Sequence, residues 1–222
     1  MWTKRRTRPA WIDCRPPYSF TFDLIAKLWR QPRVGHNAAP IHRVCTLMRK
    51  MGARTVFVEC GLGRADVCSE LDDLNAVIKG DAQAQALVLT FFGTAIGIDP
   101  ASRPVGEAVL GQTIIINYKR DHTTHWLSYI YEAVIRVPDY LLSPRRNRRV
   151  RVLNMHLPVV ANFTISVGDQ HYQIQGIYYC QQNGYTSSCA HACLRMLINT
   201  YFGTINHIST RAIIMSCKSI GA

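Results

Sequence analysis

The sequence predicts an α+β protein, and three observations carry that expectation. Apolar residues recur at helical spacing in several segments, among them 19–30, 41–51, 64–79 and the stretch after Ser188. From Arg103 to Ile174 the character turns to β, with short apolar runs and clear alternation over 163–174. Hydrophobic residues make up 48% and charged residues 18% of the 222, which allows a sizeable core and excludes a globally disordered chain. The expected order is a mixed α/β N-terminal region, a β-rich middle and a cysteine-bearing helix. A basic flexible tail (1–17) and a mixed α/β domain (18–142) precede a basic linker (143–149), and a hairpin with the cysteine helix fills 150–222.

Ser19 caps the first helix, which turns Phe20, Leu24 and Leu28 to one face. The second helix points Val44, Cys45 and Met48 inward and ends at Gly52. Residues 55–59 form a short β-branched strand and 86–92 a buried one. The helix between them carries Val67, Cys68, Leu71, Leu74 and Ile78 on one side, with Asp72 and Asp73 on the solvated face. Together they make a strand-helix-strand unit that serves as scaffold. Gly61-Leu62-Gly63 lacks the third glycine of a dinucleotide fingerprint and the Gly-Lys-Ser/Thr of a P-loop, so it reads as a plain turn.

Residues 105–110 and 113–118 read as strands around Gly111. A polar loop with Asp121, His122 and His125 follows. It offers no third ligand at a diagnostic spacing, so no metal is expected there. Residues 150–155 and 157–160 form a further β segment. Phe163, Ile165 and Val167 then alternate with Thr164 and Ser166, and a Gly168-Asp169 turn leads to Tyr172 and Ile174. This is a hairpin, because glycine supplies the positive φ that the turn needs. A last helical run, 210–219, has Ile213, Ile214 and Cys217 inward.

The net charge of +12 invites contact with phosphates. The charge gathers at Lys4, Arg5, Arg6 and Arg8 and at Arg145, Arg146, Arg148, Arg149 and Arg151, in segments that read as solvated tails or loops. No recognised nucleic-acid motif accompanies them, so such contact is expected to be non-specific. No apolar run approaches the length of a membrane span, and no apolar stretch follows the basic start to make a signal peptide. A cytoplasmic protein is expected. The eight cysteines include no Cys-x-x-Cys pair, so free thiols are expected and no zinc knuckle. No cofactor motif is present.

The chemistry concentrates in 176–203, Gly-Ile-Tyr-Tyr-Cys-Gln-Gln-Asn-Gly-Tyr-Thr-Ser-Ser-Cys-Ala-His-Ala-Cys-Leu-Arg-Met-Leu-Ile-Asn-Thr-Tyr-Phe-Gly. It reads as a loop that delivers Cys189 onto the first turn of a helix capped by Ser188 and stopped by Gly203. Ala190, Cys193, Leu194, Leu197, Ile198 and Tyr201 make one apolar stripe, expected to face a core. A thiol at that end sits where the helix dipole is positive, which favours a thiolate. Gln181, Gln182 and Asn183 offer amides to a developing oxyanion.

This stretch resembles the papain-like cysteine peptidases, in particular the bacterial branch that includes the leader-cleaving peptidases of bacteriocin exporters. The pattern shared is a Gln in a loop, then a Cys, small residues and a helix rich in Leu and Met. The resemblance implies Cys189 as nucleophile and Gln182 as oxyanion donor, with Asn183 competing because the Gln-to-Cys gap is one residue longer than usual. It implies a peptide or related acyl substrate and the helix-bearing left half of a papain-like fold. The family places its catalytic His and Asp or Asn after the cysteine helix. After it this sequence offers only His207, with no acidic residue beyond to orient the ring. The chain is therefore expected to be the front part of a longer peptidase or an inactive relative. The alternative is a non-enzymatic basic module that recruits nucleic acid or an acidic partner through its Arg-rich segments.

Overall fold

A computed structural model describes residues 10–14, 39–60, 63–78, 84–95, 108–119, 126–137, 160–183, 185, 189–202 and 208–220. Seven strands form one sheet, in the spatial order β1-β2-β3-β4-β5-β7-β6. They are β1 (Ala10–Asp13), β2 (Thr55–Cys60), β3 (Gln85–Phe92), β4 (Val109–Lys119), β5 (Trp126–Arg136), β6 (Ala161–Val167) and β7 (Gln170–Tyr179). Every neighbouring pair is antiparallel. Four helices are described: α1 (Ala39–Lys50), α2 (Ala65–Val77), α3 (Cys189–Phe202) and α4 (Thr210–Ile220).

This corrects the expected fold class. The molecule is strand-dominated, not a mixed α/β region joined to half of a papain-like fold. The strand-helix-strand unit exists, but β2 and β3 are antiparallel neighbours, Val56 opposite Phe91 and Val58 opposite Leu89. The intervening α2 is thus an excursion from a β-meander. Residues 10–13, read from sequence as part of a flexible tail, form the edge strand. Its Trp11 ring lies 4.3 Å from that of Phe57 and 5.3 Å from that of Phe92. The sheet also continues from β5 to β7, with Val134 opposite Tyr178, across the segment read as a linker. The helix expected over 19–30, the loop with His122 and His125, both arginine clusters and most of 150–160 lie outside the described residues.

Both faces of the sheet are covered at its central strands, which is why these read as nearly unbroken apolar runs, whereas β6 and β7 alternate buried with exposed residues. Leu87, Leu89 and Phe91 pack with Val44, Cys45 and Met48 of α1. The alternate residues Ala86 and Val88 pack with Val67 and Leu74 of α2. A third cluster joins Phe163, Ile165 and Ile174 of the β6–β7 hairpin to Val134, Cys180 and Ala192 of α3. The hairpin forms as read, with Gly168 at φ 56° in its turn.

Gly111 and Gly176 act differently from the sequence expectation. Gly111 does not separate two strands; β4 runs through it, and Gly176 is inside β7, so the cysteine loop begins only after Tyr179. Both glycines sit beside the same end of β5. A Cβ at Gly111 would come within 2.5 Å of the Val134 carbonyl oxygen, and one at Gly176 within 2.6 Å of that of Ile135. Glycine inside a strand here serves close backbone approach.

Candidate functional site

Cys189 is the first residue of α3, and it is exposed. At this end of a helix the first amides have no intrahelical acceptor, and their partial positive charge faces whatever group sits there. Gln182 lies past the end of β7 and is exposed as well. Asn183, its competitor, is buried and committed elsewhere. Its Nδ2 donates to Glu70 Oε1 at 2.6 Å, and its Oδ1 accepts from the Tyr185 amide at 2.8 Å. Gln181 is occupied too: its Oε1 accepts from the Ile130 amide and its own amide donates to the Ile130 carbonyl, each at 2.8 Å. Of the three amides, Gln182 has the side chain presented to solvent. No hydrogen bond joins Gln182 to Cys189 among the described residues. Two histidine side chains are described: His171, which shares a 2.9 Å hydrogen bond with Ser166 in the hairpin, and His191, two residues along α3 from Cys189.

Beneath α3 lies a cluster that the sequence reading missed. Its origin is a β-bulge. Ile114 pairs with Glu132 while Ile115 pairs with Ile130, leaving Tyr131 as the extra residue of β5. Ile130 and Ala133, three apart, therefore both reach the cluster under α1. A regular strand, with its period of two, could not place them so. In compensation Tyr131 and Glu132 both turn toward the helices on the other face. Tyr131 donates to Asp66 Oδ2 at 3.0 Å, and Glu132 receives Arg64 and Tyr178.

Glu132 is buried between two arginines. Arg64, at the N-cap position of α2, donates from Nη1 to Oε1 at 2.8 Å and from Nη2 to Oε2 at 3.0 Å. Its Nε and Nη2 also grip Asp66 at 3.0 and 2.6 Å. Arg195, from the middle of α3, is only 1% exposed. Its Nη1 donates to the Tyr131 carbonyl at 3.0 Å and its Nη2 reaches Glu132 Oε2 at 3.5 Å. The guanidinium stacks 3.8 Å from the centre of the Tyr131 ring, a cation–π contact. Burial works against the charge on both arginines, and the negative charge of Glu132 between them works in favour of it, with hydrogen bonds added at Arg64; both guanidinium groups are raised above their ordinary range. Burial, then the charge of Glu70 at Tyr129 and of Glu132 at Tyr178, raises both tyrosine hydroxyls well above their usual range. They stay protonated and donate, Tyr129 to Glu70 Oε1 at 2.8 Å and Tyr178 to Glu132 at 3.2 Å.

Helix α3 is consequently inverted relative to expectation. Ala192, Arg195, Asn199 and Thr200 are its buried residues. The stripe expected to face a core points outward instead, with Leu197 67% and Tyr201 77% exposed. The sequence held one usable signal: Glu132 is the lone charged residue in the otherwise hydrophobic run 129–135. A lone acid there demands a buried cation.

No family model matches the chain, and neither a curated protein nor a solved structure matches it. Among the described residues no group of three or more His, Cys, Asp or Glu side chains could hold a metal ion, and no described helix is long and apolar enough to cross a membrane.

Proposed function

We propose that Cys189 is the thiol nucleophile of a cysteine peptidase-type reaction, similar in chemistry to that of the papain-like peptidases and directed at a peptide or related acyl carbon. One observation supports the reading above others: a solvent-exposed cysteine opens a 14-residue helix that is anchored on the sheet by buried charge. A helix start favours the thiolate, the species that attacks. The Gln182 side chain is exposed, and in this reading its amide donates to the oxyanion formed when the thiolate adds to the carbonyl. The leaving amine needs a proton from an imidazole. His171 is engaged in the hairpin and His191 lies along the helix from Cys189, so the base in this reading is a histidine beyond the described residues.

The test is iodoacetamide labelling of the native chain, read residue by residue by mass spectrometry. Cys68, Cys193 and Cys217 are also exposed and serve as internal references. Cys189 is expected to alkylate several-fold faster than these three at neutral pH. Equal rates would remove the nucleophile assignment.

A further inference from the structure

Little apolar surface holds α3 in place. Among the described residues Ala192, with Met196 partly buried beside it, is what the helix contributes to the apolar cluster beneath it. Apolar contacts this small leave a helix able to slide or rotate, because they have no direction. The directional contacts come from polar groups. Arg195 holds the Tyr131 carbonyl, the Glu132 carboxylate and the Tyr131 ring face at once. Cys180 Sγ donates to the Ala192 carbonyl at 3.4 Å. One turn beyond Arg195, Asn199 Nδ2 donates to the carbonyls of Arg195 and Ile208, and its Oδ1 accepts from the Ile208 amide. That ties the entry to α4 back onto α3.

We infer that Arg195 is a positioning residue. Through Glu132 and the bulged carbonyl of Tyr131 it fixes the place of α3 on the sheet, and so the place of Cys189, less than two turns away. The inference rests on the reading of Cys189 as the nucleophile. The bulge makes the arrangement specific. Without the extra residue at position 131, the Tyr131 ring and the Glu132 carboxylate would lie on opposite faces of the sheet, and no one side chain could hold both. Arginine is required in this role because its planar fork reaches a carbonyl and a carboxylate together while its flat face stacks; lysine offers a point charge only.

The experiment measures alkylation of the full chain and of Arg195→Met, Arg195→Lys and Glu132→Gln, with amide hydrogen exchange followed in 189–202 and 210–220. In Arg195→Met the Cys189 rate is expected to fall to that of Cys193, while buried Cys45 remains protected, showing that the sheet is intact. Arg195→Lys is expected to recover part of the difference, because it keeps Glu132 and loses the Tyr131 carbonyl. A Cys189 to Cys193 ratio unchanged from wild type, with Cys45 protected, overturns the assignment. Should Arg195→Met expose Cys45, the same ratio in Glu132→Gln decides, since the glutamine still fills the site between Arg64 and Tyr178. Failure of the nucleophile reading is visible separately, as equal Cys189 and Cys193 rates in wild type. In that event the exchange data decide the positioning role: exchange in 189–202 faster by about tenfold in Arg195→Met, with Cys45 still protected, upholds it, and equal exchange overturns it.

Discussion

Asp66 shows how much a single partner decides. Burial alone would raise its pKa, but the hydrogen bonds and charge of Arg64 bring it below the usual carboxylate value, with the Tyr131 hydroxyl helping. A carboxyl depressed in the folded state adds stability above its unfolded pKa of about 3.9 and loses it as pH falls through the lower folded value. Asp66→Asn is therefore expected to be less stable than wild type at pH 7 by about 2 kcal/mol, the scale of charge-assisted hydrogen bonds. That gap should begin to narrow as pH falls below about 4. Urea unfolding of both proteins at pH 7 and pH 3 checks this, and a gap of equal size at pH 3 would refute it. Nothing in the sequence singles out Asp66 or Glu70 from Asp72 and Asp73 on the same helix. All four are acids, and only the sheet, assembled from distant strands, decides which of them it covers. Glu132 was more legible, because an acid in an apolar run has no solvent to reach.

At the scale of the element, periodicity located α3 but assigned it the wrong face. Its apolar stripe was real as a pattern, yet Arg195 makes directed contacts with the bulged strand, and Asn199 with Arg195 and Ile208, that leucines could not. The outer face keeps Leu194, Leu197, Tyr201 and Phe202 exposed. The β6–β7 hairpin was legible because its signals are local: alternation on both sides of a turn that requires glycine. Strand β4 was not, since a glycine in sequence looks the same whether it breaks a strand or lets a neighbour approach. The two uses separate on mutation. Gly176→Ala places a Cβ 2.6 Å from the Ile135 carbonyl oxygen, and backbone there cannot move aside without disturbing the β5–β7 pairing. It is expected to cost about 1–3 kcal/mol, the range for overpacking. Gly63, which has nothing within 4 Å of such a Cβ, is the control. Gly63→Ala should change stability by less than about 0.5 kcal/mol. Thermal or urea unfolding of the pair measures the contrast, and equal effects would mean that the close approach at β5 is not tight.

Over the whole molecule, the two halves read from sequence are bound by one sheet. A helix between two strands gives a mixed α/β pattern in sequence whether the strands return parallel or antiparallel, because strand pairing is set by partners far along the chain. Here they return antiparallel, and the meander runs on through β5 into the hairpin that precedes α3. Central strands covered on both faces cannot release one face alone. Stripping α1 from the sheet would bare Leu87, Leu89 and Phe91 in β3, whose alternate residues hold the other face together. Cys45 reports on the cluster under α1, and Cys180 on the cluster between the hairpin and α3. Burial pushes these thiols up to about 12 and about 11, so both resist alkylation in the folded chain at pH 8. Pulsed iodoacetamide labelling across a urea series is expected to show both becoming reactive at one midpoint, since one cooperative unit unfolds in a single transition. Two separated midpoints, with Cys180 released before Cys45, would show instead that the hairpin and the cysteine helix form a unit that opens on its own, and the β5–β7 pairing would then be a seam, not a continuation of the sheet.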